Sequence, residues 1–342
     1  MTSNILILGD KEIHTETIGT KLQKQGCQVI HFSPNDNPEI SLSFQGSEFH
    51  CEISHTMDHQ TDYYNFQEFD RVWNRMKFGT MIEWKHPMEK LASDFSKASW
   101  KQVMSSLENI FPHHQDGNGP QWIDAFGTLN LNGNKPFQLK LAHECGLKIP
   151  EWTCITNRKE SLKSFEMPSF HSSSPRYGMI MKTLSLCVAP PCNSMFTIPI
   201  SYNQLSEKEL SLSPMIFQHK IERRRDFRIT IVGKGKQAKM FIAGIEIKKE
   251  EEGGGVDWRA YQHESERFTK IEENALDSKT RQCLLEYHDR SGLHFGAYDL
   301  IEDPHNGNVV FLECNPQGNW LWIDSLLNMG ITEEIVNLLK GD

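Results

Sequence analysis

Two apolar runs near the C-terminus, Phe295 to Ile301 and Val309 to Pro316, constrain this chain more than anything else in it. Between them lies Pro304-His305-Asn306-Gly307-Asn308, and Asn-Gly between apolar runs is a strong hairpin signal. Folding back there brings Asp299 to within about one residue of facing Glu313. Side chains alternate along a strand, so Glu313 and Asn315 share a face. Two carboxylates and one amide then converge, the set that Mg²⁺ takes when phosphates and water complete its shell. The plainer reading makes both acids surface residues. An unpaired charge inside runs this apolar is costly, which favours the metal reading.

A second constellation is Gln218-His219-Lys220-Ile221-Glu222-Arg223-Arg224-Arg225-Asp226-Phe227-Arg228, which joins two strands. Phe227, Ile229 and Ile231 alternate onto one face, turning Arg228 and Thr230 to the other. An arginine so placed forks onto phosphate or acyl-phosphate oxygens. Arg223 to Arg225, taken alone, read as a solvated turn. Lys182 ends an apolar strand, where a lysine can meet phosphates, although snorkelling to water is the default for a lone lysine.

The rest of the chain is organised around these. Residues 4–9 read as a buried parallel strand, followed by a helix with Ile13, Ile18 and Leu22 inward, a stop at Gly26 and a strand at 28–32. That is a βαβ opening. Its first turn, Gly9 to Glu12, lacks the glycine spacing of a dinucleotide site. A further strand is predicted at 69–75 and a helix at 87–111. Residues 112–120 form a loop that marks a domain boundary. Next comes a helix at about 135–145, with Asn134 as cap, Gly146 as stop and Pro150 beyond. Residues 166–176 read as a loop. From 178 the pattern is β: strands at 178–182 and 215–218, then a hairpin of 227–232 with 238–247. Lys248 to Gly255, charged and glycine-rich, reads as a mobile loop that orders over ligands. A helix spans about 272–291, and no internal repeat is found.

With 45 acidic against 36 basic residues and a net charge of −9, the chain of 342 residues is not a general nucleic-acid binder. The N-terminal apolar run is too short for a signal peptide or a membrane span. Eight scattered cysteines then read as reduced cytoplasmic thiols. His55 and His59 have helical spacing but lack the glutamate of a zinc helix motif, and His113-His114 falls in a loop.

From about residue 70 onward, and most strongly from 215, the sequence resembles the ATP-grasp superfamily, within it the graspetide synthetases that cyclise microviridin-type peptides. The resemblance rests on Phe295-Gly-Ala-Tyr-Asp-Leu-Ile through Phe311-Leu-Glu-Cys-Asn-Pro-Gln-Gly-Asn-Trp320-Leu-Trp322-Ile. Asn134-Lys135-Pro-x-Gln138-Leu, Asp226-x-Arg228, Asp257-Trp258-Arg259 and Val72-Trp73-Asn74-Arg75 add to it. It implies an α/β chain with an ATP-grasp fold preceded by a small α/β domain. The divisions expected are 1–120, a linker helix and central subdomain at 121–212, and a C-terminal subdomain at 213–342.

The resemblance further implies an ADP-forming ligase using ATP and Mg²⁺. Lys135 and Lys182 match lysines that hold the ATP phosphates, and Gln218, His219, Lys220 and Ile221 match the hinge that meets adenine. Asp299, Glu313 and Asn315 match magnesium ligands, while Arg228, Arg259 and Asp226 match catalytic positions. The implied substrate is a ribosomal precursor peptide with a leader and an acidic core, whose Asp or Glu side chains are joined to Thr or Ser hydroxyls or Lys amines as ω-ester or ω-amide rings. A homodimer is compatible with this, and no nucleic-acid or membrane partner is expected. The rivals are a ligase that adds an amino acid to a protein or small molecule, and a non-catalytic ATP-binding regulator. Arg223, Arg224 and Arg225 with Arg75 and Lys77 are expected to form a positive rim for the peptide. Two departures from the pattern are the absence of glycine in Thr183 to Cys192 and Asp124 where asparagine is expected.

Overall fold

The computed structural model describes residues 3–36, 38–46, 48–57, 60–76, 87–113, 119–166, 178–184, 197–247, 264–273 and 276–341. The chain opens with β1 (Asn4–Leu8), α1 (Ile13–Lys24) and β2 (Gln28–Phe32). Ile18 and Leu22 are buried beneath α1, but Ile13, at its first turn, faces solvent. An antiparallel three-stranded sheet follows, β3 (Ile40–Gln45), β4 (Glu48–Met57) and β5 (Gln60–Asn65), in a region where no strand was predicted. Ile40, Leu42, Cys51, Ile53 and Tyr64 pack it onto Ile30, Phe32 and Phe66. His55 therefore sits on a strand, not a helix, and its ring contacts the carbonyl of His31.

The chain returns through β6 (Arg71–Asn74), α2 (Pro87–Ile110) and β7 (Gln121–Ile123). Together β2-β1-β6-β7 make a parallel sheet. Because β2 and β6 flank β1 on opposite sides, chain direction across the sheet reverses between β1 and β6. The apolar run Ile5 to Leu8 is fully buried there, as a strand covered on both faces requires.

Beyond the first sheet come α3 (Phe126–Asn132) and α4 (Lys135–Glu144), then β8 (Thr153–Thr156), β9 (Met179–Lys182), β10 (Ile198–Ile200), α5 (Glu207–Leu210) and β11 (Met215–His219). The Asn134 side chain accepts from the Phe137 N–H at 3.1 Å, capping α4, and Gly146 closes it at φ +82°. The four strands form an antiparallel sheet, β10-β9-β11-β8, over a small core of Leu162, Met179, Leu205, Leu210 and Phe217.

The last section holds β12 (Arg225–Val232), β13 (Lys239–Glu246), β14 (Phe268–Ile271), α6 (Ser278–Ser291), β15 (Phe295–Glu302), β16 (Val309–Asn315), α7 (Leu321–Leu327) and α8 (Ile331–Lys340). Its antiparallel sheet runs β14-β13-β12-β15-β16. One face, with Phe227, Ile229, Ile231, Tyr298, Leu300 and Phe311, packs on α4 and α6. The other, with Val232, Ala243, Ile245, Phe295 and Ala297, shares a core with α8, α1 and β1. Arg259, Lys77, Cys187, Cys192, the stretch 248–255 and the predicted loop at 167–176 lie outside the described residues. The described cysteines are all free thiols, and no described helix is long and apolar enough to cross a membrane.

Candidate active site

The hairpin of β15 and β16 carries the carboxylate pair. Its ladder pairs Glu302 with Val309, Ile301 with Val310 and Leu300 with Phe311, and continued unbroken it would set Asp299 against Leu312. Instead the register shifts by one residue between Asp299 and Leu300, and Asp299 faces Glu313. A bulge of this kind switches the face on which later side chains emerge. Phe311 and Cys314 stay in the core, so Glu313 and Asn315 emerge on the opposite face with Asp299.

Two cations already occupy this face. Arg228 pairs with Asp299 across the β12–β15 ladder, and its Nη1 donates to both carboxylate oxygens at 3.0 and 3.1 Å. Lys135, the first residue of α4, places Nζ 3.2 Å from Glu313 Oε2 and 3.2 Å from the carbonyl of Thr183, the residue after Lys182. The Asn315 amide donates to Asp299 at 3.4 Å. Arg228 and Asp299 are only 6 and 7 % exposed, so neither charge is solvated well enough to stand alone. Nε of Arg228 is buried and has no hydrogen-bond partner among the described residues. That orphan donor, beside two carboxylates and an amide, fits an anionic oxygen brought in with a hard cation. Among the described residues no three His, Cys, Asp or Glu side chains converge, so a metal here must draw further oxygens from substrate and water.

Three residues with no assigned role hold the cluster in place. Gln138, on α4, donates to the carbonyls of Asn132 and Cys314 at 2.6 and 2.8 Å and accepts from the Cys314 N–H at 2.9 Å. It clamps β16 between Glu313 and Asn315. Gly318 has no room for a side chain: a Cβ would lie 2.6 Å from Ala297 Cβ and 2.7 Å from Arg228 Nη2. Asp124, at φ +58°, accepts from the His294 and Phe295 N–H groups at 2.6 and 3.2 Å, one on each oxygen. An asparagine would offer one acceptor where this site uses two, which gives a physical reason for the departure at this position.

The other predicted residues fall around the cluster. Lys182 ends β9 and is half-buried. Gln218 and His219 end β11; the Gln218 amide donates to Thr153 Oγ1 at 3.1 Å and the His219 ring packs 5.7 Å from Trp152. Lys220 donates its N–H to the Gly178 carbonyl at 2.7 Å, and with Ile221 it crosses from the central sheet into β12, as a hinge does. Asp226 is buried two residues before Arg228 and receives Arg223 Nη1 at 2.5 Å.

The expected positive rim does not form as drawn. Arg223 is buried on Asp226, Arg224 lies 3.4 Å from Glu302 and Arg225 2.7 Å from Glu246. Each guanidinium has a carboxylate: Arg223 takes one three residues on in its own segment, and the strands flanking β12 carry Glu246 and Glu302 opposite Arg225, within reach of Arg224 and Arg225. Arg75 is buried too.

No protein-family model matches the sequence, and no curated protein matches it either. Solved structures do. A Chryseobacterium gregarium RiPP-associated ATP-grasp ligase, in complex with ADP and a leader and core peptide, superposes with a TM-score of 0.76 at 24 % identity, over 99 % of this chain and 97 % of that one. The macrocyclase MdnC from Microcystis aeruginosa, bound with the precursor peptide MdnA, gives 0.75 at 22 % identity, over 99 % and 100 %. The ATP-grasp ligase PsnB, complexed with a phosphomimetic variant of a minimal precursor, Mg and ADP, gives 0.69 at 17 % identity, over 99 % and 98 %. With likeness along its whole length, this chain has the ATP-grasp fold.

Proposed function

We propose that this chain is an ADP-forming ligase that activates Asp or Glu side chains of a ribosomal precursor peptide and joins them to Thr or Ser hydroxyls or Lys amines. The observation that carries the reading is the cluster of Asp299, Glu313, Asn315, Arg228 and Lys135, assembled from β12, β15, β16 and α4. Structures similar to it include a ligase and a macrocyclase solved with leader, core or precursor peptides, which supports the peptide substrate. ATP and reduced thiols suit a cytoplasmic setting.

A free carboxylate is a poor electrophile because its leaving group would be oxide. In the reaction a peptide carboxylate oxygen bonds to the γ-phosphorus of the co-substrate ATP, and the bond to the bridging oxygen breaks to release ADP. A hydroxyl or amine of the peptide then attacks the activated acyl carbon, phosphate leaves, and the nucleophile gives up its proton. Asp299, Glu313 and Asn315 would hold Mg²⁺, which would supply charge neutralisation at the phosphates. Arg228 turns its unpaired Nε to an anionic oxygen while Nη1 stays on Asp299. Lys135 and Lys182 add positive charge from α4 and β9, and Gln218 to Ile221 line the nucleotide along the hinge. Catalysis of this kind is positioning and electrostatics, which explains why no nucleophilic side chain is required.

The test is to incubate the protein with Mg²⁺, ATP and peptides rich in Thr and Glu. The reading expects ADP and phosphate as products, with loss of one water per ring from the peptide. AMP as the substrate-dependent product, or transfer of a free amino acid to another acceptor with no peptide dehydration, overturns it.

A further inference from the structure

Arg75 follows the carboxyl end of β6, where chain direction across the first sheet reverses beside β1. In open parallel sheets that crevice is where ligands bind. The residue is 4 % exposed and its N–H donates to the Leu8 carbonyl at 2.7 Å, which fixes it to β1. Its guanidinium carbon sits 5.1 Å from the Trp320 ring centroid and 5.8 Å from that of Trp73. Nη2 reaches Glu12 only at 3.5 Å. Nε and Nη1 are buried and have no hydrogen-bond partner among the described residues. Burial pushes this guanidinium's pKa down, so an added anion would stabilise the charge.

The position is coupled to the cluster at Asp299. The Gln317 amide donates to the carbonyls of Asn74 and Met76, on either side of Arg75, at 3.4 and 3.5 Å. Asn319, which precedes Trp320, offers its carbonyl to Arg228 Nη2 at 3.5 Å. One short loop after β16 thus touches both arginines. Gly9 lets β1 approach the Arg75 backbone closely: a Cβ there would lie 2.9 Å from the Arg75 carbonyl.

We infer that Arg75 anchors a carboxylate of the substrate, in the crevice between the first sheet and the loop after β16. The inference rests on the ligase reading for the identity of that substrate. A planar fork suits a carboxylate, and with Glu12 and Asp124 both acting on this guanidinium, a monoanion is a better match than dianionic phosphate.

The experiment measures binding of N-acetyl-glutamate methylamide to the protein loaded with Mg²⁺ and ADP, beside the glutamine analogue and inorganic phosphate. The wild type should bind the acid and reject the amide. Arg75→Met, checked for folding by melting and by ADP binding, should weaken the acid by about 10- to 100-fold while leaving ADP unchanged. Arg75→Lys should lose less. Equal binding of acid and amide, a phosphate preference that depends on Arg75, or undiminished acid binding in both variants overturns the inference. If Arg75→Met fails to fold, the wild-type comparison and Arg75→Lys decide. Arg75-dependent acid binding without turnover of any acidic peptide sinks the ligase reading and leaves the anchor standing. Peptide turnover with acid binding indifferent to Arg75 does the reverse.

Discussion

His288 shows how a titratable side chain is locked beneath the site. Nε2 lies 2.9 Å from the Gly233 carbonyl, which can only accept, so Nε2 carries the proton and Nδ1 accepts from the Tyr298 hydroxyl at 2.6 Å. Burial lowers its pKa from 6.5 to about 4, and burial does the same to His31. The folded protein keeps both neutral where the unfolded chain is protonated, so the unfolded state binds more protons. Stability is therefore full above pH 6.5 and is lost as pH falls toward 4. Each histidine contributes about 1.4 kcal/mol per pH unit within that window. His288→Gln should flatten the slope of denaturation free energy with pH by about that amount. An unchanged slope would mean the ring is not held neutral. Asp299, Glu313 and Arg228 were legible because they interrupt apolar runs at strand spacing. Arg75 was misread as a rim residue because its cover, Trp320, comes from far along the chain.

At the scale of elements, Gln138 is the main link between α4 and the strand bearing Glu313. Gln138→Leu would leave the Cys314 N–H and two carbonyls without their partner, which costs about 1–3 kcal/mol. It should also lower turnover, since Glu313 and Asn315 flank the clamp. Urea unfolding and product formation measure the two effects; full activity would contradict the clamp. The strands of the last sheet were readable from alternation and from Asn306-Gly307. The bulge at Leu312 was not, because an apolar extra residue looks like its paired neighbours. β3 to β5 did carry a signal, in the alternation of Ile40 and Leu42 and the Gly46-Ser47 pair, with Gly46 at φ +64°. The helical spacing of Ile331, Ile335, Val336 and Leu339 was likewise present in the sequence.

Across the whole molecule, α8 lies between the first and last sheets. Its buried residues share one core with Ile5, Ile18, Leu22, Phe295 and Ala297, and Lys21 on α1 pairs with Glu333. Leu339→Ala should cost about 2–5 kcal/mol in urea unfolding, whereas Leu212→Ala, at an exposed position, should cost little. Because the core is shared, the first and last sheets should unfold together. The sharing was invisible in the sequence, since it joins segments from opposite ends of the chain. The class of fold was readable because the motifs of the last sheet are local.

Glu313→Gln tests the central claim most directly. Asp299→Asn would strand the buried Arg228 charge, but Glu313 is partly exposed and faces Lys135 at the surface of the site, so its amide should leave the fold intact. Loss of one ligand charge is worth several kcal/mol at the phosphates, a fall in turnover of about 10²-fold or more. The account predicts that Glu313→Gln melts like the wild type yet no longer couples ADP release to dehydration of an acidic peptide. A variant that releases ADP and closes rings at near the wild-type rate would contradict it.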